Sequence, residues 1–155
     1  MTHNEYGKWW EFCRDRYDEK TFRHAQGLID YLANDLRVLL MTPEQELNCM
    51  AVALGHDLIE DTYTVLEDIE EYVPEEVVDA IMILSRDDNM SYPDYIKDVV
   101  NTGNTYALIV KQADMYDHMS RTSTLTPRLR AKYEPVIPKL IGLEDFYESE
   151  SSGSR

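Results

Sequence analysis

This sequence contains few cysteines and no long apolar run, and each of these shortages excludes a class of protein. Its 155 residues include two cysteines. Cys13 and Cys49 lack the spacing of a metal site, so we expect free thiols rather than a disulfide. No apolar run approaches the roughly 20 residues needed to span a bilayer, so no membrane partner is expected.

Basic residues are also scarce: 15 Lys and Arg stand against 30 Asp and Glu, which gives a formal net charge of -15. Nucleic-acid binding needs a basic surface, so we expect no nucleic-acid partner. A small anionic substrate would need a bound cation and a few placed basic side chains. The first residues show no basic and apolar leader pattern, so we expect no signal peptide and a cytoplasmic location.

The remaining pattern predicts an all-α fold, since no internal repeat, glycine-rich phosphate loop or period-two alternation is present. A chain of this length suits one domain. We therefore expect a single helical bundle of about seven or eight helices over residues 1–147, and a disordered polar tail over 148–155. The apolar run 106–110 is predicted to be a buried helix, with a buried strand as the alternative. Predicted helix starts are Asn4, Thr21, Thr42-Pro43, Thr64, Pro74, Ser91-Tyr92-Pro93, Thr105 and Thr126-Pro127.

The segment 54–62 carries the densest set of chemically active side chains. It follows an apolar helix that is expected to run from Pro43 to about Asp61, and no Lys or Arg occurs from 41 through 85. On that helix, His56 would lie one turn from Glu60, and Asp57 one turn from Asp61. Two potential metal ligands are thus paired with two potential acid/base groups.

A second polar group ends the apolar helix that begins at Thr105. Asp114 lies four residues before His118, and Lys111 lies one turn earlier. Taken alone, this group is equally well explained as a solvated helix end with an Asp/His pair. His24, in the first turn of an earlier helix, would alone be taken for a surface or capping residue.

Taken together, these segments supply two imidazoles and two carboxylates from three helices, a ligand set suited to Mn²⁺, Fe²⁺ or Zn²⁺. The order His24, His56-Asp57, Asp114 resembles the signature of the HD phosphohydrolase superfamily. Residues 56–62 (HDLIEDT) resemble the HDxxEDT segment of the RelA/SpoT-type small alarmone hydrolases, and 111–114 (KQAD) resemble their KLAD segment.

The resemblance implies a metal-dependent phosphohydrolase that removes the 3′-pyrophosphate of ppGpp or pppGpp with a metal-activated water. One divalent ion is implied, with Mn²⁺ first and Fe²⁺, Zn²⁺ or Co²⁺ as alternatives, bound by His24, His56, Asp57 and Asp114. Glu60 and Asp61 would handle the proton. The substrate-binding residues expected on the same grounds are Arg16, Lys20, Lys111, His118, Arg128 and Tyr133.

Two departures from the family pattern concern the substrate more than the metal. His118 stands where the family has an Asn, and the segment before His24 lacks a Tyr-x-x-His-Pro pattern. The alternatives are therefore a nucleoside tri- or monophosphate phosphohydrolase of the same fold, and a non-catalytic nucleotide-binding module.

Overall fold

The computed structural model describes residues 1–120 and 125–137, and all the regular structure in these ranges is helical. The predicted all-α class is confirmed, and the run 106–110 is helix rather than strand. The predicted tail 148–155 and the end of the last helix lie outside the described residues. The α-helices are α1 (His3–Arg16), α2 (Glu19–Ala33), α3 (Leu36–Leu39), α4 (Pro43–Gly55), α5 (Leu58–Asp61), α6 (Leu66–Glu70), α7 (Glu75–Leu84), α8 (Tyr92–Thr102), α9 (Thr105–Ser120) and α10 (Pro127–Tyr133), and a 3₁₀-helix follows at Glu134–Val136.

The described helices outnumber the expected seven or eight because α3 and α5 were not expected as separate helices. These two helices have four residues each. Such one-turn segments carry too few residues to show helical periodicity in a sequence. They depend on tertiary contacts rather than on their own propensity.

The predicted continuation of the Pro43 helix to Asp61 is wrong, because the helix ends at Gly55 and α5 starts afresh at Leu58. The His56 side chain explains the break: its Nδ1 lies 2.7 Å from the Ala53 carbonyl oxygen. In a continuous helix this carbonyl would accept from the Asp57 N–H. That N–H instead donates to the Tyr17 hydroxyl at 3.2 Å.

Local capping signals locate most of the helix boundaries. Thr42 and Gln45 form a reciprocal capping box at the start of α4. Gly103, with φ of 65°, ends α8 in the left-handed conformation that glycine adopts without steric cost. The predicted start at Thr64 is wrong, because α6 begins at Leu66 and the Asp68 carboxylate accepts from the Val65 N–H.

Three central helices, α2, α4 and α9, pack against one another, and α1 and α7 pack against α4. The Trp9 indole ties α1 to α4 by donating to the Ala51 carbonyl at 3.0 Å. Both cysteines are buried free thiols, as expected. Among the described residues, no helix combines the length and apolar character needed to cross a membrane. The packing of α2, α4 and α9 brings their polar residues to one place.

Candidate metal centre

The four residues expected to bind a metal come together where the three central helices meet. His24 lies on α2, His56 and Asp57 lie in the break after α4, and Asp114 lies on α9. The Nε2 atom of His24 is 2.8 Å from Asp114 Oδ1, and the Nε2 atom of His56 is 3.6 Å from the same oxygen. The structure therefore assembles residues that are up to 90 positions apart.

His56 is the clearest sign of a metal ligand. Its Nδ1 donates to the Ala53 carbonyl, so the neutral ring has its lone pair on Nε2. That atom is fully buried and makes no hydrogen bond in the described structure, although Asp57 Oδ2 lies 3.0 Å away. The distance alone does not make a hydrogen bond, because a hydrogen bond also requires alignment of the donor and the acceptor. A buried nitrogen lone pair beside two carboxylates fits a cation.

Asp114 is the hub of the cluster. Its Oδ2 accepts from the Lys111 ammonium at 2.8 Å, and its Oδ1 lies 3.2 Å from His118 Nε2. Burial alone would raise the pKa of Asp114, but Lys111 and the surrounding imidazoles outweigh it and hold the pKa well below its usual range. The carboxylate is thus ionised and available to a metal.

Donor spacing also fits a single ion. Ligand atoms about 2.1 Å from one ion lie roughly 3.0 Å apart at right angles and ~3.4 Å apart in a tetrahedron. The nitrogen–oxygen distances around Asp114 Oδ1 run from 2.8 to 3.6 Å. His24, His56 and Asp57 form one set of mutually close donors, and His24, Asp114 and His118 form another.

Asp117 supports His24 from the side opposite to the cluster, a role that the sequence did not reveal. Its buried carboxylate lies 2.5 Å from His24 Nδ1. A carboxylate accepts, so Nδ1 carries the hydrogen and the neutral ring directs its lone pair on Nε2 towards the cluster. Burial disfavours the imidazolium form of His24, but the contact with Asp114 outweighs this and raises the pKa.

The two expected proton-handling residues lie at the edge of the cluster. The Glu60 carboxylate accepts from the backbone N–H of Arg86 and lines a cavity next to Asp114. Both residues are exposed, but Asp61 does not line that cavity. Burial, followed by the charge of Asp57, raises the pKa of both carboxyl groups. Glu60 is therefore the better-placed base.

The cavity beside the cluster has a volume of about 120 Å³ and is lined by two cations that the sequence analysis had not assigned to the site, Arg86 and Lys132. Lys111, Tyr92 and Tyr95 also line it. Burial and the neighbouring Arg86 lower the pKa of Lys132, which shows that like charges converge here. The sequence does contain a signal for Arg86, because Arg86 is the first basic residue after the segment 41–85, which has no Lys or Arg.

Of the six expected substrate-binding residues, three line this cavity: Lys111, His118 and Tyr133. Arg16 does not; its guanidinium lies 3.8 Å from Asp68 and over the Phe12 ring. Lys20 and Arg128 are exposed and are not among the described residues that line the cavity. A substrate role for these last three residues stays a prediction.

Comparison with known proteins supports the architecture. No protein-family model matches the chain, and no curated protein shows significant sequence similarity to it. A solved structure with a similar fold is that of a metazoan ortholog of SpoT, which is described as hydrolysing ppGpp and playing a role in starvation responses. The identity is 18%, the alignment covers 92% of this chain and 86% of that chain, and the TM-score is 0.65. The likeness shows that the two chains share an all-α fold.

Proposed function

We propose that this protein is a metal-dependent phosphohydrolase that removes the 3′-pyrophosphate of ppGpp or pppGpp. The observation that carries the proposal is the buried, unsatisfied Nε2 of His56 beside Asp57 and Asp114. His24, His56, Asp57 and Asp114 would hold one divalent ion, with Mn²⁺ as the first candidate. Such an ion, when bound, polarises a phosphoryl oxygen and lowers the pKa of water.

Glu60 would accept the proton of the attacking water. The Arg86 N–H fixes its carboxylate at the cavity, and partial burial makes it more basic than an ordinary Glu. Water would add to the phosphorus atom that is bonded to the ribose 3′ oxygen. The bond between this phosphorus and the 3′ oxygen would break. The protonated Glu60 would then return this proton to the leaving oxygen, because Asp61 does not line the cavity. The products are pyrophosphate and GDP or GTP.

The cations of the cavity would bind the phosphate end of the substrate. Arg86 and Lys132 face the cavity in a chain of net charge -15, so they mark a local reversal of sign. A cavity of about 120 Å³ is well below the roughly 300–1,000 Å³ of a pocket that encloses a whole drug-sized ligand. The reacting diphosphate would therefore enter, while the nucleoside would lie at the mouth near Tyr133.

Product analysis on a nucleotide panel tests the proposal. Purified protein with Mn²⁺ would be incubated with ppGpp, NTPs, dNTPs and NMPs, and the products separated by anion exchange. We expect equal amounts of GDP and pyrophosphate from ppGpp and no turnover of the others. Turnover of dNTPs alone would contradict the choice of substrate.

A second candidate is a nucleoside tri- or monophosphate phosphohydrolase of the same fold. The observation that favours it is His118, which lies in the cavity where the alarmone hydrolases have an Asn. A third candidate, a non-catalytic binding module, is separated by metal analysis. Less than about half an equivalent of transition metal in protein purified without chelators would favour it.

A further inference from the structure

We infer that His118 is a fifth protein ligand of the ion, which makes the donor set three imidazoles and two carboxylates. This inference rests on the proposed metal site and changes the expected role of His118 from substrate contact to metal ligand. Its starting point is geometric. His118 lies one turn after Asp114 on α9, and its Nε2 is 3.2 Å from Asp114 Oδ1.

Three imidazole nitrogens converge on that one oxygen. The Nε2 atoms of His24, His118 and His56 lie 2.8, 3.2 and 3.6 Å from Asp114 Oδ1. His24 cannot serve two ions at once through Nε2, and its Nδ1 is bonded to Asp117. The two sets of mutually close donors share His24, so we assign both sets to the one proposed ion.

Packing holds the His118 ring in place before any ion binds. Tyr133 stacks on one side with ring centres 5.1 Å apart and planes 22° apart. The His24 ring lies 4.6 Å away at 32°. A ligand fixed in this way loses little conformational freedom on binding. The side chain of Asn, which the alarmone hydrolases have here, is shorter and would not place a nitrogen at this position.

A fifth protein ligand has two chemical consequences. It leaves one position of an octahedron for water or substrate, whereas four ligands would leave two. It also increases the proportion of nitrogen atoms among the protein ligands. Imidazole ligands favour the later first-row metals, whereas oxygen ligands suit Mn²⁺. The protein should therefore prefer Co²⁺ over Mn²⁺ more strongly than a variant without His118.

Pulsed electron paramagnetic resonance on the Mn²⁺-loaded protein counts the coordinated nitrogens directly. The chain has only four histidines, so the count is easily interpreted, and histidine labelled with ¹⁵N identifies the couplings as imidazole. We expect three coordinated nitrogens in the wild type and two in His118→Asn. His3→Asn, which removes the exposed histidine at the start of α1, is the matched control and should retain three.

Metal affinity gives a second readout that does not depend on turnover. Competition with a chromophoric chelator should show Mn²⁺ binding weakened about 10- to 100-fold in His118→Asn, and Co²⁺ binding weakened more. Two nitrogens in the wild type would overturn the assignment of His118 and leave the proposed hydrolase intact. Failure of the wild type to bind any of Mn²⁺, Fe²⁺, Co²⁺ and Zn²⁺ would overturn both proposals.

Discussion

Glu60 combines two properties that a general base needs. Its carboxylate is held in place by the Arg86 N–H, and partial burial raises its pKa above that of an ordinary Glu. Its position next to the ion ligands, rather than among them, separates proton transfer from metal binding. Substitution at this position should therefore affect the chemical step alone.

We predict that Glu60→Gln lowers kcat about 10²- to 10⁴-fold while the metal content stays that of the wild type. The Gln carbonyl can still accept from the Arg86 N–H, so the loop should keep its position. Glu67→Gln, at an exposed acid on α6, is the matched control and should keep full activity. Unchanged turnover in Glu60→Gln would show that Glu60 is not the base.

The pH dependence follows from the same raised pKa. The ionised form of Glu60 is the active one, so kcat/KM should rise with pH and level off above a midpoint higher than the 4.5 of an ordinary Glu.

The same raised pKa makes the folding stability fall, rather than rise, with pH. A carboxyl group whose pKa is raised in the folded state lowers stability as pH rises through the unfolded and then the folded value. Glu60→Gln should therefore unfold at no lower temperature than the wild type at pH 7, and a lower temperature would argue against this reading of Glu60.

Asp117 would act on the proposed ion through His24, whose Nδ1 it contacts. We predict that Asp117→Asn weakens Mn²⁺ binding roughly 10- to 100-fold, as is typical when the partner of a metal-bound imidazole is changed. The NMR shifts of the two His24 ring nitrogens should also move, because the carboxylate that fixes Nδ1–H is gone. Asp94→Asn, on the surface of α8, serves as the control. Equal Mn²⁺ affinity in wild type and Asp117→Asn would exclude this role.

At the scale of the helices, the ligand positions depend on how closely α4 approaches its neighbours. Gly55 is the last residue of α4 and directly precedes His56. A Cβ added there would lie 2.6 Å from Trp9 Cζ2 and 2.7 Å from Ile81 Cδ1. Trp9 has little room to move, because its indole is bonded to Ala51 and it stacks on Phe12. The close contact of α4 with α1 and α7 thus fixes the position of His56, which is the first residue of the His56-Asp57 pair.

We predict that Gly55→Ala destabilises the protein by about 1–3 kcal/mol through overpacking. For a chain of this length the melting temperature would fall by roughly 2–12 °C. Gly7→Ala is the matched control, since nothing lies within 4 Å of a Cβ at that exposed position in α1. It should leave stability unchanged or raise it by up to ~1 kcal/mol. Equal melting temperatures for the two variants would contradict the packing argument.

The helices also show which features a sequence can predict. The start of α4 at Thr42-Pro43 depends on neighbouring residues and was predicted correctly. The break at His56-Asp57 was not, because it depends on the Tyr17 hydroxyl, 40 residues away. The same limit applies to the site. His24, His56, Asp57 and Asp114 followed from a motif pattern, whereas the contacts of Arg86 with Glu60 and of Asp117 with His24 span 26 and 93 residues.

For the whole molecule, the excess of acids bears on the charge balance at the proposed metal centre. Asp57 and Asp114 are both ionised, and in the absence of an ion the Lys111 ammonium and the imidazoles of His24, His56 and His118 surround them. Burial opposes the charge on His56, but the attraction of Asp57 and Asp114 prevails and raises its pKa well above the usual value. Protons and a metal ion therefore compete for the same nitrogens.

We predict that the gain in melting temperature from Mn²⁺ over chelator-treated protein widens as the pH rises from 6 to 8. The raised pKa of the two imidazoles stabilises the metal-free protein most below about pH 6.5, and this contribution is lost as pH rises through the folded values. Metal binding instead strengthens as those protons leave. At a Mn²⁺ concentration one hundred times Kd, binding raises the free energy of unfolding by about 2.7 kcal/mol. This corresponds to a rise in melting temperature of roughly 5–11 °C for a chain of this length. Thermal scans of His56→Ala, which should show almost no gain at any pH, provide the control, and a pH-independent gain in the wild type would contradict the competition.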